Sequence, residues 1–584
     1  MDVVVGLDFG SSGSGFAYAY KDNEEEINNG YINGANVDNK VPTEIILDNN
    51  NDTLQFGAEC IRFMKEKGLE SGHYFKEIKM NLYEKKTSIA AKNSGKVLPL
   101  KLVIQRVLEK LKDLAFTEIK KNRPNITLSN INWFVTVPAI WQEFEKNIMM
   151  EACIDVGLVT EAEDKSLFFA LEPEAASCYC SKNKSIDQSL LIPGECYIIC
   201  DLGGGTGDIV AHLIGENYSL KEIYPASGGD YGSDKINKKF FEDIIYKIFD
   251  CKDFNNFYLK YKQLHENGED EDEVEDEGTL FNEWCELERQ IKDLKEGTDI
   301  GKVENNEKYP INCSIFQGIF DKSININKLI DNYNTKCSDD DLKLKVKSSK
   351  KWIISFPYKI IYNYIKNQTD SICKIINKII ESSDEDINSI ILVGGYCSNE
   401  ILISEIKNNL SSKISHFLQP SKPCLSIMEG AVIFGLNPTK IIQRKAKYTI
   451  GVNACINWNE ELHSNKGKKY YNNEKGIWMC ENSFSPFIKI NQNLTLNQEI
   501  KNNYSMCDSR YCMIMFYKTL KPNPNFVDEE DVEEIGNCQL DAGKEYPLDQ
   551  RDILIKMRIG GTFIDVKAKH IISGNFIKTK LDFK

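Results

Sequence analysis

The chain has 584 residues, 41% of them hydrophobic, which is too long for a single core and ample for about three to five folding units. A net charge of −15 argues against non-specific binding to nucleic acid or to an anionic membrane surface. The 18 cysteines are scattered with no Cys-x-x-Cys pair, so neither a disulfide scaffold nor a structural zinc site is expected, and the thiols read as reduced core filler.

In chain order, Val3-Val4-Val5-Gly6-Leu7 reads as a buried strand that runs into Asp8-Phe9-Gly10-Ser11-Ser12-Gly13 and out through Phe16-Ala17-Tyr18-Ala19-Tyr20. No basic and apolar leader regions stand ahead of it, and no run approaches the roughly 18 apolar residues that span a bilayer, so a soluble cytoplasmic protein is expected. Residues 41–47 and Thr53–Phe56 follow as short strands, and Leu102, Leu108, Leu111 and Leu114 give 100–120 a helical spacing. A strand ending at Val137 is halted by Pro138, residues 142–156 read as a helix, and 166–176 as a strand turning into a helix. This alternation is α/β.

Tyr197-Ile198-Ile199-Cys200 then leads into Asp201-Leu202-Gly203-Gly204-Gly205-Thr206-Gly207-Asp208 and on to Ile209-Val210-Ala211-His212-Leu213-Ile214, the same strand–turn–strand phrase as at the start. A second α/β unit so opened ends at Ile390-Ile391-Leu392-Val393-Gly394-Gly395, after a long, mostly helical excursion. The acidic run 266–278 within it is expected as a solvated loop, because its like charges repel. Beyond Pro438 the texture changes to short strand-like runs at 448–452, 511–517 and 553–557. The expected units are therefore 1–185, 186–440 and a strand-rich 441–584.

Both glycine phrases sit at hairpin turns, not at strand-to-helix turns, which excludes the dinucleotide and Walker-type phosphate motifs. Gly and small hydroxyl residues let backbone N–H groups converge on an anion, since no Cβ blocks the approach. Two such turns face to face could clasp a polyphosphate. A carboxylate after a strand is also an ordinary turn former, and only the pairing of Asp8 and Asp201, each followed by glycines, lifts them above that reading.

These landmarks resemble the ATPase region of the heat shock protein 70 family, within the actin, sugar-kinase and heat-shock superfamily. Val137-Pro138-Ala139-Ile140-Trp141, Ala170-Leu171-Glu172-Pro173-Glu174-Ala175-Ala176 and Glu429-Gly430-Ala431-Val432-Ile433-Phe434-Gly435-Leu436-Asn437-Pro438 narrow the resemblance to its divergent heat shock 70 kDa protein 12 branch. The resemblance implies an α/β fold, a two-lobed actin-like ATPase of duplicated ribonuclease-H-like domains with a nucleotide cleft between them, followed by a β-rich C-terminal domain. It implies ATP or ADP with magnesium as cofactors. Gly10, Ser11 and Ser12 then resemble the first phosphate loop, and Gly203, Gly204, Gly205 and Thr206 the second, with Gly228 and Gly229 in the same nucleotide-binding set. Asp8 and Asp201 would hold magnesium through water, Asp208 would lie on the nucleophile side, and Glu172 would link the metal's water shell to the other lobe. Lys79 is similar to the lysine that positions attacking water, although Lys76, Lys85 and Lys86 are close neighbours. Gly394, Gly395 and Tyr396 match the adenosine turn. The stacking arginine that follows it in the family is Ser398 here, and Lys292 is the best surviving cation of the adenosine clamp.

The implied activity is slow ATP hydrolysis by a chaperone-like protein, with protein clients or co-chaperones as partners and neither nucleic acid nor membrane. The family's acidic-apolar linker, helical lid and acidic tail are missing. A nucleotide-binding adaptor or scaffold without turnover is therefore the second expectation, and a sugar or metabolite kinase, for which no acceptor aspartate is marked, the third.

Overall fold

In a computed structural model the described residues are 2–32, 40–159, 166–265, 277–320, 324–464, 466–496, 498–559 and 564–580. The acidic run expected as a solvated loop lies outside them, apart from Glu277 and Gly278, which open a helix.

β1 (Val3–Asp8) is buried at every residue and pairs antiparallel with β2 (Gly13–Tyr20), which pairs in turn with β3 (Asn23–Asn29). α1 (Ile78–Tyr83) and α2 (Leu100–Asn122) follow. In α2, Val103, Val107, Leu111, Ala115 and Ile119 recur every fourth position and bury one stripe. Next come β4 (Ile131–Val137), α3 (Glu143–Asp155), β5 (Leu167–Leu171) and α4 (Glu172–Cys180), the last opened by a proline in its first turn. The sheet runs β5-β4-β1-β2-β3, with β1, β4 and β5 mutually parallel and Val41–Pro42 pairing with β2 off this path.

β6 (Cys196–Leu202), β7 (Gly207–Ile214) and β8 (Leu220–Gly229) form the next meander. After β8 the chain makes the mostly helical excursion, which includes α5 (Glu277–Glu296) and α6 (Tyr358–Ser382). It also holds a three-stranded antiparallel sheet of Lys308–Asn312, Ile353–Pro357 and Lys345–Ser348, strands too short to show a period. β9 (Ile387–Val393) and β10 (His416–Leu418) return parallel to β6. The second sheet therefore begins β10-β9-β6-β7-β8, the same strand order and the same directions as the first. A duplicated phrase in the sequence has become a duplicated topology.

The second sheet is covered on both faces, which explains its unbroken apolar runs. Tyr197, Ile199, Val210 and Ile391 enter one core with the first sheet, while Ile198, Cys200, Ile209 and Ile390 enter the other with α5 and α6. α7 (Ser426–Leu436) seals the first core: an atom added at Gly430 would lie 2.0 Å from the Ala175 carbonyl oxygen of α4, and one at Gly435 2.5 Å from Val4 of β1. Small residues here let two helix backbones meet.

β11 (Ile441–Lys445) pairs with β8, and Asn493–Thr495 pairs with β11, so these two strands extend the second sheet. The rest of the C-terminal region is mostly strand. A five-stranded sheet includes β12 (Thr449–Asn457), β13 (Ile477–Ile488) and, after β14 (Gln498–Ser505), β15 (Tyr511–Thr519). A four-stranded sheet pairs β14 with β16 (Asp552–Ile559). These two sheets share a third apolar core. Among the described residues no helix is long and apolar enough to cross a membrane. All 18 cysteines are free, and only Cys507 is exposed.

Gly430→Ala is expected to destabilise the protein by about 1–3 kcal/mol, the usual cost of overpacking, because neither α4 nor α7 can retreat from its sheet. Thermal unfolding of the variant against the parent measures it, and an unchanged melting temperature would show that the helices can part.

Candidate functional site

Each glycine turn connects two paired strands, and each first strand carries an aspartate at its last or next-to-last residue. Asp8 stands opposite Gly15 in the first hairpin, and Asp201 opposite Asp208 in the second. The second arrangement sets two carboxylates directly across a strand pair, which repel. Glu172, the first residue of α4, and Lys79 on α1 complete a buried set with Asp8, Asp201 and Asp208.

Lys79 Nζ donates to Glu172 Oε1 at 2.5 Å and lies 5.6 Å from the centre of the Trp141 ring. Lys40 Nζ donates to Asp8 Oδ2 at 2.5 Å, and Thr136 Oγ1 donates to Asp8 Oδ1 at 3.0 Å. The Ile140 N–H donates to Asp208 Oδ1 at 2.9 Å, while Asp208 Oδ2 is buried with no hydrogen-bond partner among the described residues. Burial raises all four carboxyl groups, but Lys40 and Lys79 outweigh it at Asp8 and hold that group below the usual carboxylate range. Asp201 has the opposite balance. Burial first, then Glu172, Asp208 and Asp8, push it well above its ordinary value. Burial and Glu172 push Asp208 up to about 7, and burial also raises Glu172 against the pull of Lys79.

The two turns are in contact. An atom added at Gly204 would fall 1.5 Å from Ser12 Oγ, and one at Gly205 2.5 Å from Ser11 Oγ and 2.3 Å from Met80 Sδ, so only glycine admits the first turn this closely. Ser12 Oγ also donates to Asp234. From behind, the N–H groups of Gly232, Ser233 and Asp234 donate to the carbonyls of Gly205, Gly203 and Gly204 at 2.9–3.1 Å. In a planar trans peptide the C=O and the following N–H point opposite ways, so the N–H groups of Gly204, Gly205 and Thr206 all aim away from that backing segment. Successive N–H groups turned to one side make a concavity for an anion.

Gly228 and Gly229 lie on β8 opposite Asp208 and Gly207. Gly394, with φ of +88°, sits where an added atom would meet the Leu202 carbonyl oxygen at 2.4 Å and Asp201 Oδ1 at 2.6 Å, so the turn after β9 reaches the second aspartate. Gly395 has open space around it. Tyr396 turns inward and donates to Gln368 Oε1 at 3.0 Å, and Gln368 Nε2 donates to the Gly232 carbonyl at 3.1 Å, which ties this turn to the segment behind the glycines. Gly10 closes its own turn against the Gly13 carbonyl.

Lys292 is the candidate that the fold does not bring to the others: its side chain is 60% exposed and pairs with Glu296 at 3.6 Å. Lys295, on the inner face of the same helix α5, is buried and donates to the Ser233 carbonyl at 3.2 Å, and burial lowers its pKa against the pull of Asp234. Sequence reasoning also passed over Lys40, Thr136 and Asp234. Asp234 alone had a local signal, the glycine-rich Gly228-Gly229-Asp230-Tyr231-Gly232-Ser233 run ahead of it.

Four buried carboxylates face two ammonium groups, the buried Lys79 and the half-buried Lys40. With the orphaned Asp208 oxygen and the N–H concavity, this set suits a hydrated divalent cation carried with an anion. No three His, Cys, Asp or Glu side chains among the described residues could enclose an ion by direct contact.

No protein-family model matches the chain. Heat shock 70 kDa protein 12A of Mus musculus is 25% identical over 651 residues, covering 100% of this chain and 91% of the relative. The Homo sapiens proteins heat shock 70 kDa protein 12A and 12B are 24% and 23% identical with the same coverage. The resemblance to the heat shock 70 kDa protein 12 branch thus holds from end to end.

The charges set two expected outcomes. Lys79→Met leaves Glu172 buried without its cation and is expected to cost about 3–5 kcal/mol, read by chemical denaturation, with much of the loss restored in the Lys79→Met/Glu172→Gln double variant. Asp208 binds its proton more tightly folded, near pH 7, than unfolded, near its ordinary 3.8, so its contribution to stability is present at low pH and is lost as pH rises across that window. Without divalent cations, Asp208→Asn is therefore expected to gain stability over the parent between pH 5 and pH 8. Melting curves at both values check it, and a pH-independent difference would contradict the titration.

Proposed function

We propose that this chain, similar over all its residues to the heat shock 70 kDa protein 12 branch, binds ATP with magnesium between its two glycine hairpins, hydrolyses it slowly and acts as a chaperone-like protein. The observation that carries the reading is the apposition of Ser11 and Ser12 with Gly204 and Gly205 in front of a buried acid cluster. In this reading residues 1–185 and 186–440 are the two lobes of an actin-like ATPase, supported by the repeated sheet order. Residues 441–584 form a β-rich C-terminal domain that holds protein clients or meets co-chaperones. Eighteen free thiols suit a reducing cytoplasm.

Magnesium, when bound, neutralises phosphate charge and keeps most of its waters, with Asp8 and Asp201 as its water-mediated holders. The chain's own groups do the rest. The N–H groups of Gly204, Gly205 and Thr206 bind phosphate oxygens, joined by Ser11 and Ser12 from the first turn. Asp208, with a carboxyl poised near neutrality, can take a proton from water on the nucleophile side. Lys79, held by Glu172, supplies positive charge beside the phosphates. The Gly394–Tyr396 turn takes the adenosine, with Lys295 a better placed cation than Lys292 for that side.

Binding without turnover is the second reading, and the commitment of the Lys79 ammonium to Glu172 favours it. One experiment separates the two. Thermal shift with ATP and ADP, with and without magnesium, is expected to show stabilisation of about 2.7 kcal/mol at a hundredfold excess over Kd, dependent on magnesium. Phosphate release is expected to fall about a hundredfold in Asp8→Asn and Asp201→Asn. Stabilisation with release unchanged in both variants would leave a scaffold, and no stabilisation by either nucleotide would sink the site.

A further inference from the structure

Asp8 and Asp201 stand at matching turns of the two repeated sheets, but their partners do not match. Asp201 faces a second carboxylate, Asp208, across its hairpin. Asp8 faces Gly15 and holds an ammonium instead: Lys40 Nζ donates to its Oδ2 at 2.5 Å, while Thr136 Oγ1 donates to its Oδ1 at 3.0 Å. Both oxygens of the first aspartate are therefore engaged by the chain itself.

Lys40 is delivered by a fastened segment. Just after it, Val41 and Pro42 pair with Ser14 and Gly13 of β2, the Thr43 N–H donates to the Ser12 carbonyl at 3.2 Å, and Thr43 Oγ1 donates to the Gly10 carbonyl at 2.7 Å. The stem of Lys40 packs over Gly13, where an added atom would lie 3.6 Å from its Cβ. The lysine is thus anchored to the same turn that carries Ser11 and Ser12. The ion pair is also shielded, because the Lys40 side chain is 16% exposed and that of Asp8 4%, so salt weakens their attraction little. Burial dominates at Asp201, yet the Lys40 charge reaches that group too and pulls the other way. The Val41–Pro42 strand lies off the repeated sheet order, so this cation is an addition to the first hairpin and no part of the duplicated frame.

We propose that Lys40 is a positioning residue that competes with a divalent cation for Asp8, a tethered positive charge that sets how far the site depends on magnesium. The proposal rests on the reading of Asp8 as a water-mediated holder of that ion. A hydrated metal presents its waters to the carboxylate oxygens, and here it must do so beside a fixed ammonium that repels it. The same ammonium stands at the turn that meets the phosphates and attracts their charge, so it favours uptake of nucleotide without metal. Removing it is therefore expected to weaken metal-free binding and to ease binding of the metal. Loss of an ion pair with a structural role alone would lower stability and leave the dependence on metal as it was.

The test uses the full chain at constant ionic strength and neutral pH, with ATP affinity measured by calorimetry in saturating magnesium and again in EDTA. The ratio of the two affinities is the readout. In Lys40→Met, and in Lys40→Gln, which keeps a hydrogen-bond donor within reach of Asp8, the ratio is expected to grow about tenfold over the parent, chiefly through weaker binding in EDTA. Lys40→Met/Asp8→Asn, which removes competitor and holder together, should bring the ratio back toward the parent's. A ratio that stays the same or shrinks in both single variants would overturn the role of Lys40, as would a parent that takes up ATP with magnesium but not measurably in EDTA. Either result leaves the nucleotide site standing. A parent that takes up ATP under neither condition would remove the site itself, and this role with it.

Discussion

The packing of Ser11 and Ser12 onto Gly204 and Gly205 is the constraint on which the rest of the site depends. It demands residues without a Cβ at one turn and short side chains at the other. It also demands that two sheets, each carrying its own aspartate at the end of a central strand, be held in fixed relation. The repeated sheet order supplies symmetric frames for this, and the shared core of Tyr197, Ile199, Val210 and Ile391 with the first sheet supplies the rigidity. Helix α7 adds to it by bringing its backbone against that of α4.

The same frame concentrates negative charge where burial makes it costly. Each carboxylate would be tolerable alone, but Asp201 faces Asp208 across a hairpin and Glu172 and Asp8 across the gap between sheets, so its ionised form is strongly disfavoured. Lys40 and Lys79 relieve Asp8 and Glu172 and leave the second hairpin short of positive charge. That deficit, more than any single residue, is what a cation–anion ligand would answer.

The acid cluster is also tied to the strand-rich C-terminal region. Arg444 on β11 makes a bidentate, buried ion pair with Glu174 of α4, at 2.7 Å on both sides. Lys447, just beyond, donates to the Ala139 carbonyl at 3.4 Å, next to Ile140, whose N–H binds Asp208. Burial and Lys146 together bring Lys447 down to about 8, so this junction holds an ammonium poised to lose its charge. Breaking such a buried pair costs more than never having formed it, which makes the joint stiff.

Much of the fold was legible from local patterns. The strands at 3–8, 131–137, 196–202 and 387–393 are mostly apolar because helices and neighbouring strands cover them, and the helix at 100–122 carries an unbroken fourfold stripe. The long β8, the small sheet within the helical excursion and the strand pairing of the C-terminal region were not, since those strands mix lysine, asparagine and apolar residues without a clean period. By itself the sequence determined the two hairpin turns, their aspartates and the close backbone approach that runs of glycine require, because turn chemistry acts within a few residues. Only the tertiary structure decided which lysines serve the site. Lys40 and Lys295 are ordinary residues in their own segments, and Lys292 was the expected cation of the adenosine side, until the packing of α5 turned Lys295 inward and Lys292 to solvent. Burial and the field of distant charges are properties of the assembled chain, and no short stretch of it can encode them.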